Sequence, residues 1–475
     1  MQRVTCDRSW PLHGVAGARA IEQAAAATQP PHTLMQRAGL AVARLALAIA
    51  PHARHVWIAC GPGNNGGDGF EAAMHLQQWG KAVTVTWAGD EKKAPADALA
   101  SLQRARQAGV KFAGDAPAQF DIAIDALLGI GSARPLDGRM REWADRLNES
   151  HVPVLAVDIP SGLASDTGTG DAVHATHTLS LLTLKPGLFT AKGRDACGET
   201  WFDDLGVDSN APAPLAWLAG SPARVPRPHD SHKGNWGDVA VIGGAPGMAG
   251  AALLAASAAL HAGAGRVFVG MLGDTLPVDI SQPELMMRAW ESLDLRAMTV
   301  ACGCGGGDAV RGSLPKVIST AQALVLDADA LNAIAADAQL QSLLQARGRR
   351  GKPTVITPHP LEAARLLGKS AQDVQADRLE AARSLAQKFS CVAVLKGSGT
   401  VIAAPDHAPR INPTGSGRLA TAGTGDVLAG LIAARLAPGA DAFDAASGAV
   451  FDHGLAADRW PHSQALTASA LARAL

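Results

Sequence analysis

The sequence predicts an α/β chain of two domains, each a parallel sheet covered by helices on both faces. Three observations carry this expectation. The 475 residues exceed the roughly 250–300 at which a single hydrophobic core stops growing. Short β-branched runs, apolar on both faces, alternate with Ala-, Leu- and Arg-rich helical segments, which is the rhythm of βαβ units. That rhythm breaks over 207–234, where prolines crowd among small polar residues and neither a helical nor a strand period survives. The break places a domain boundary at 218, giving domains 1–218 and 219–475.

In the first half the strand candidates are HVWIAC (55–60), KAVTVTWAG (81–89), DIAIDALLG (121–129), VPVLAVDIP (152–160) and THTLSLLTL (176–184). Helical segments such as FEAAMHLQQWG (70–80) and MREWADRLNES (140–150) lie between them, so this half reads as a Rossmann-like three-layer αβα domain. In the second half GDVAVIGG (237–244), GRVFVGML (265–272), ALVLDADAL (323–331), PTVITPHP (353–360) and CVAVLKGSG (391–399) repeat the pattern. The two halves do not resemble each other, which argues against duplication.

Composition narrows the function. Hydrophobic residues make up 47% and charged residues 18%, so disorder and coiled coil are excluded. With 42 Lys plus Arg against 43 Asp plus Glu, no global field attracts nucleic acid or an anionic membrane. No stretch reaches about 20 clean apolar residues, so no membrane span is expected. Six scattered cysteines without a CxxC pair, and no apolar leader at the N-terminus, suit a reducing cytoplasm. Small molecules are the expected partners.

GPGNNGGDG (61–69) lies between a strand and a helix, where backbone N–H groups converge on an anion. It is neither GxGxxG nor a Walker loop. The competing reading is a tight turn that needs positive φ. Two further strand ends carry Asp125 before a Gly-rich turn, and Asp158 with Ser161. Ligands of open α/β sheets bind at such carboxyl ends. Oxygens of Asn65, Asp125 and Ser161 could then face a hard cation, and the Asp158 carboxylate a reacting group. Each Asp taken singly is more often a cap or turn former.

The strings GPGNNGGDG, DALLGIG and VDIPSG, in this order and spacing, resemble the NAD(P)H-hydrate epimerase domain over residues 10–215. The resemblance implies a potassium ion at Asn65, Asp125 and Ser161. It also implies that Asn64, Asn65, Gly66, Gly67, Asp68 and the segment Gly129, Ile130, Gly131, Ser132, Ala133, Arg134, Pro135 cradle the hydrated nucleotide, with Asp158 as acid/base. The chain departs from the family pattern at Gln36, where an acidic residue is usual.

In the second half ATAGTGDVLAGLIAARL (420–436) runs a Gly-rich turn into an apolar helix, with Asp426 in its first turn. Backbone N–H groups and the helix dipole there favour a transferring phosphoryl group, and the Asp can take a proton from an attacking hydroxyl. This half resembles the ribokinase-like superfamily. With residues 232–270, TPHPLEAARLL (357–367) and VLKGSGTVIA (394–403), the resemblance sharpens to the ADP-dependent NAD(P)H-hydrate dehydratase over 225–470.

The second resemblance implies that Lys396, Gly397, Ser398, Gly399, Thr400 and Gly425 hold the adenine nucleotide with Mg²⁺. Ala249, Gly305, His359 and Asp426 then contact the hydrate, with Asp426 catalytic. The competing readings are a satisfied histidine at a strand end for His359 and a solvated surface lysine for Lys396, although a Lys-Gly pair after the apolar run CVAVL suits phosphate binding. Leu361 and the string CGCGGGD (302–308) depart from the family pattern. Cys302 and Cys304 read as structural, since no further ligands lie nearby.

Together the two resemblances imply a fused repair enzyme. It would interconvert the R and S hydrates of NADH and NADPH (NADHX, NADPHX) and dehydrate the S form with ADP, giving AMP and phosphate. A homo-oligomer, a tetramer or larger assembled through the second domain, is expected. The alternatives are a ribokinase-like small-molecule kinase with an accessory nucleotide-binding domain, and a non-catalytic scaffold.

Overall fold

The computed structural model describes residues 1–131, 135–207, 212–223, 226–274 and 276–475. The chain divides into two compact units, one of residues 1–5 and 10–217, the other of 6–9 and 218–475. The short segment 6–9 joins the second unit through backbone pairing, with Ser221 N donating to Cys6 O at 2.8 Å, and through Gly220 N donating to Ser9 Oγ at 3.1 Å. Among the described residues no helix is long and apolar enough to cross a membrane.

The first unit is built on an eight-stranded sheet. Its order is Gln2–Arg3, Glu199–Asp203, His177–Leu181, Val154–Val157, Ile122–Ala126, His55–Cys60, Ala82–Trp87, Lys111–Ala113. All neighbours are parallel except the antiparallel edge strand Gln2–Arg3. Strand order reverses between His55–Cys60 and Ile122–Ala126, so the loops leaving these two strands diverge and open a crevice. One face buries Val56, Ile58, Val83, Val85 and Ile124 under helices Thr33–Ile49, Asn64–Gln78 and Ala96–Gln107. The other buries Trp57, Ala123 and Ala156 under helix Gly138–Asn148. Strands buried on both faces must be apolar throughout, which is why this sheet is legible as continuous apolar runs.

The second unit carries the strands Met286–Met287, Arg266–Met271, Asp238–Gly243, Thr299–Cys302, Ala323–Leu326, Thr354–Ile356 and Val392–Leu395, all parallel in that order. Val401–Ala404 and His407–Ile411 follow antiparallel. Here the reversal lies between Asp238–Gly243 and Thr299–Cys302. The loops after them are stitched together, Gly244 N to Cys304 O at 3.0 Å and Ala245 N to Gly305 O at 2.7 Å. Helices Ala249–His261 and Thr424–Leu436 pack on one face, where Gly430 lets the second helix approach the Ala255 carbonyl.

Candidate active sites

The helix of the first unit begins at Asn64, inside the glycine string rather than at 70. None of the glycines in 61–69 has positive φ, so the tight-turn reading is overturned. Their smallness serves close packing instead. A Cβ on Gly61 would lie 1.7 Å from Leu127 O, on Gly66 2.1 Å from Gly61 O, and on Gly69 2.7 Å from Cys60 Sγ. The glycines thus lower the helix N-terminus onto the strand end, where its unpaired N–H groups face the crevice.

A cavity of about 900 Å³ opens at this crevice. Asn64, Asn65, Asp68, Gly129, Ile130, Gly131 and Asp158 line it, as the sequence predicts, together with Arg19, Glu22, Thr183 and Lys185, which sequence reasoning missed. Gly66 and Gly67 do not reach it, because they pack against Gly61 O and the Met35 thioether. Pro135 is exposed outside the lining, and Ser132, Ala133 and Arg134 lie outside the described residues.

Asp158 follows its strand with φ +68, a left-handed conformation that Asp tolerates better than most residues. Its Oδ1 accepts from Leu181 N at 3.2 Å and is ion-paired with the buried Lys185. Lys185 Nζ also donates to Leu181 O at 2.9 Å and to Ser180 Oγ at 3.2 Å. The available signal for Lys185 was its position directly after the apolar run 176–184, at a strand's carboxyl end.

Beneath the cavity, Asp125 and Ser161 are fully buried. Asp125 Oδ1 accepts from Ser161 Oγ at 2.6 Å and Oδ2 from Ser161 N at 2.8 Å. Ser161 Oγ in turn accepts from Leu128 N at 2.8 Å. Asn65 lies against the next residue of that loop, since a Cβ on Gly129 would sit 3.2 Å from Asn65 Oδ1. Burial pushes the Asp125 carboxyl up to about 6 even though the Ser161 and Leu127 donors oppose it. The Asn65 Nδ2 group is buried without a partner. Asp125 and Ser161 therefore meet directly, and among the described residues no side-chain cation is a hydrogen-bond partner of the Asp125 carboxylate.

In the second unit, helix Thr424–Leu436 starts after Gly423 at φ +90, a geometry that suits glycine. Asp426 lies in its first turn. Burial first, and then the nearby Asp327 charge, push the Asp426 carboxyl up to about 6. Cys304, Asp327 and Asp426 present ligand atoms within 4.8 Å of one another. Lys396 Nζ bonds Asp327 Oδ1 at 2.6 Å, and a Cβ on Gly425 would lie 3.4 Å from that ammonium. Burial works against the Lys396 charge, but the Asp327 and Glu362 carboxylates outweigh it and hold the pKa above the usual lysine value.

The loop after Lys396 is shaped by Gly397 at φ +136 and Gly399 at φ +62. Beneath it the buried Arg378 donates to Leu395 O and Lys396 O, both at 3.2 Å. Ser398 and Gly397 are exposed, and Thr400 Oγ1 donates to Gly397 O at 3.1 Å. Ala249 opens helix Ala249–His261 beside the turn holding Gly305 at φ +57. The departure CGCGGGD supplies three glycines at positive φ, Gly303, Gly305 and Gly307. His359 caps helix Pro360–Leu367, its Nδ1 accepting from Leu361 N at 3.1 Å. Burial, and then the Lys396 charge, lower its pKa, so a capping role and a place beside Lys396 coexist. Gln36 and Leu361 are exposed, which accounts for their freedom to depart from the pattern.

The comparisons match this division of the chain. Residues 239–475 match the family model described as NAD(P)H-hydrate dehydratase, and residues 31–187 the one described as YjeF-related protein N-terminus. The bifunctional NAD(P)H-hydrate repair enzyme Nnr of Escherichia coli is 38% identical over 453 residues, covering 90% of this chain and 85% of that protein. Its namesake from Coxiella burnetii is 36% identical over 449 residues, covering 90% of each. The ADP-dependent (S)-NAD(P)H-hydrate dehydratase of Neisseria meningitidis is 45% identical over 254 residues, 52% of this chain and 84% of that protein. With an epimerase-type first unit, a dehydratase second unit and this similarity along nine-tenths of its length, the chain belongs to the family of bifunctional NAD(P)H-hydrate repair enzymes.

Proposed function

We propose that the cavity of the first unit epimerises NADHX and NADPHX at the hydroxylated carbon, and that the Asp426 cleft of the second dehydrates the S epimer with ADP. The observation that carries the reading is Asp158, ion-paired on one side and lining a dinucleotide-sized cavity on the other. Inversion requires a bond at the carbon beside the ring nitrogen to break and reform, and a carboxylate placed there can move the proton and stabilise the developing cation. Asn64, Asn65 and Gly129 to Gly131 bind the rest of the nucleotide.

A potassium ion fits the oxygens of Asn65, Asp125 and Ser161. The fully buried Asp125 carboxylate lacks a side-chain cation partner, and a buried charge is costly unless compensated. Such an ion supplies the missing positive charge when bound. Asp125 and Ser161 then hold the loop carrying Leu128 and Gly129 against the helix carrying Asn65.

In the second unit the S hydrate lies against Ala249, Gly305 and His359, and Asp426 removes the proton of its hydroxyl. The N–H groups at the turn Gly423–Gly425 face the transferring phosphoryl group. Phosphate then leaves from the ring carbon with the C–O pair, the adjacent ring carbon gives up a proton to solvent so that its C–H pair becomes the C=C bond, conjugation returns, and AMP remains. Lys396 to Thr400 and Gly425 hold the nucleotide. Mg²⁺ suits its phosphates better than a protein cage, because Asp327, the central carboxylate of the cluster, is already committed to Lys396. Oligomerisation through the second unit and a cytoplasmic setting complete the proposal.

The deciding experiment gives the full chain both NADPHX epimers with Mg²⁺, K⁺ and ADP, and follows the returning dihydronicotinamide absorbance. Complete recovery is expected. The Asp158→Asn variant is expected to recover the S fraction at the normal rate and the remainder only at the spontaneous rate. Recovery of both fractions by that variant would remove Asp158 from the mechanism, and no recovery with the unmodified chain would end the reading.

A further inference from the structure

The cavity wall holds four carboxyl groups, Glu22, Asp68, Asp97 and Asp158, and their surroundings are unequal. Asp97 is paired with His32 at 2.5 Å. Asp158 is paired with the buried Lys185. Asp68, in helix Asn64–Gln78, receives no hydrogen bond from a cation or a backbone N–H among the described residues. It sits where carboxylates converge from several elements. These are Asp158 after its strand, Glu22 on helix Val15–Thr28 and Glu71 one turn along its own helix, while Lys185 is the positive group facing it. Glu71 is itself tied to Arg104, and the Cys60 thiol below is held neutral by burial and by the neighbouring acids.

We propose that Asp68 is the general acid of the epimerisation and Asp158 its base, with Lys185 holding the Asp158 carboxylate in place. The inference rests on the reading of this cavity as the epimerase site and adds to it a second catalytic residue, one that the resemblance places only among the binding residues. Two carboxyls whose environments diverge make a natural acid/base pair. Lys185 pairs with Asp158 and makes no hydrogen bond to Asp68 among the described residues. Burial, and then the charges of Asp158, Glu22 and Glu71, push Asp68 well above the usual carboxylate range, the direction that favours a proton donor.

The step balances without a further reactant. Asp68 delivers its proton to the hydroxyl oxygen, the C–O pair leaves with that oxygen as water, and the ring-nitrogen lone pair closes to an iminium. Water adds to the opposite face, its oxygen pair forming the new C–O bond while the C=N pair returns to nitrogen. The released proton goes to Asp158 and passes back to Asp68 to reset the pair.

The test uses the full chain, the separated R epimer without ADP, and chromatographic resolution of the products in H₂¹⁸O. The unmodified protein is expected to show an alkaline limb in kcat and to place ¹⁸O in the hydrate at each inversion. Asp68→Asn is expected to lower kcat by about 10²–10⁴-fold with KM little changed, and to lose the alkaline limb. ADP-dependent dehydration of the S epimer by the same variant reports that the chain has folded. Should it be lost, Asp68→Glu carries the test, since it keeps an acid and must keep the limb, displaced in pH. The proposal is overturned if the limb survives in Asp68→Asn, if the loss is confined to KM, or if inversion brings no ¹⁸O into the hydrate. A chain that does not epimerise at all refutes the assignment of the cavity instead.

Discussion

Lys396 Nζ and Asp327 Oδ1 lie 2.6 Å apart, and the same oxygen accepts from Thr357 Oγ1 at 2.7 Å. Lys396 is therefore fixed from behind by a carboxylate that also faces Asp426. In the proposed function Asp327 links the nucleotide side of the second site to its base.

That link sets the first prediction. Asp327→Asn removes a like charge beside Asp426, so the Asp426 pKa falls and the base stays ionised to lower pH. The acid limb of dehydration is expected to move down in pH, while KM for ADP rises because Lys396 loses its anchor. Breaking a buried ion pair from one side costs about 3–5 kcal/mol, so a lower melting temperature is also expected. An acid limb that stays in place would separate Asp327 from the base.

Asp426 itself should govern the pH dependence. With its carboxyl pushed up to about 6, a general base is active above that pH and is lost as pH falls through it. The expected kcat/KM for dehydration is flat above neutrality and drops about tenfold per unit below pH 6. Asp426→Asn should lower kcat by about 10²–10⁴-fold and abolish that limb. Steady-state rates from pH 5 to 8 check both outcomes.

Acid stability should reflect His453. Its ring is buried with Nε2 on Thr424 O at 2.9 Å, and burial lowers its pKa from 6.5 to about 4. Below 6.5 the unfolded chain takes up a proton that the folded one refuses. Stability is thus present in full above 6.5 and declines until the folded pKa is reached, by about 3 kcal/mol in all. His453→Gln, which keeps a donor for Thr424 O, is expected to flatten the stability profile of the second unit between pH 6.5 and 4. Urea unfolding at several pH values measures it.

Exchange of K⁺ for choline at constant ionic strength should slow epimerisation and leave dehydration of the S epimer unchanged. Titrating K⁺ back should raise the melting temperature of the first unit as expected for an ion bound only by the folded state. Asn65→Ala should blunt both responses. Equal rates in the two salts would leave the Asn65, Asp125 and Ser161 cluster a structural network alone.

The sequence reveals the parallel strands because burial on both faces demands unbroken apolar runs, as in His55–Cys60 and Val392–Leu395. It conceals the short edge strand Lys111–Ala113 and the strand His407–Ile411, where one polar residue in two or three erases the pattern. DADAL was legible as strand, yet the chain turns into helix Ala328–Ala335 after Asp327, because an Asp before a helical run is a natural N-terminal signal. Asn65, Asp125, Asp158, Ser161 and Asp426 were visible as polar residues at strand ends or a glycine turn. Lys185, Asp327 and Arg378 were not, since each acts through a partner distant in sequence, and a single charged residue next to an apolar run does not reveal its partner.

The contacts of Gly61, Gly66 and Gly69 at the start of helix Asn64–Gln78 are main chain against main chain or strand side chain, with no room for even a methyl group. A joint of that kind has no rotamer to change. The wall carrying Asn65 and Asp68 is consequently registered to the sheet as firmly as the backbone itself, and a nucleotide of different bulk must be accommodated by the opposite side, helix Val15–Thr28. Engineering of substrate breadth in this cavity belongs on that adaptable side, around Arg19 and Glu22, while changes in 61–69 alter the frame on which the chemistry is mounted.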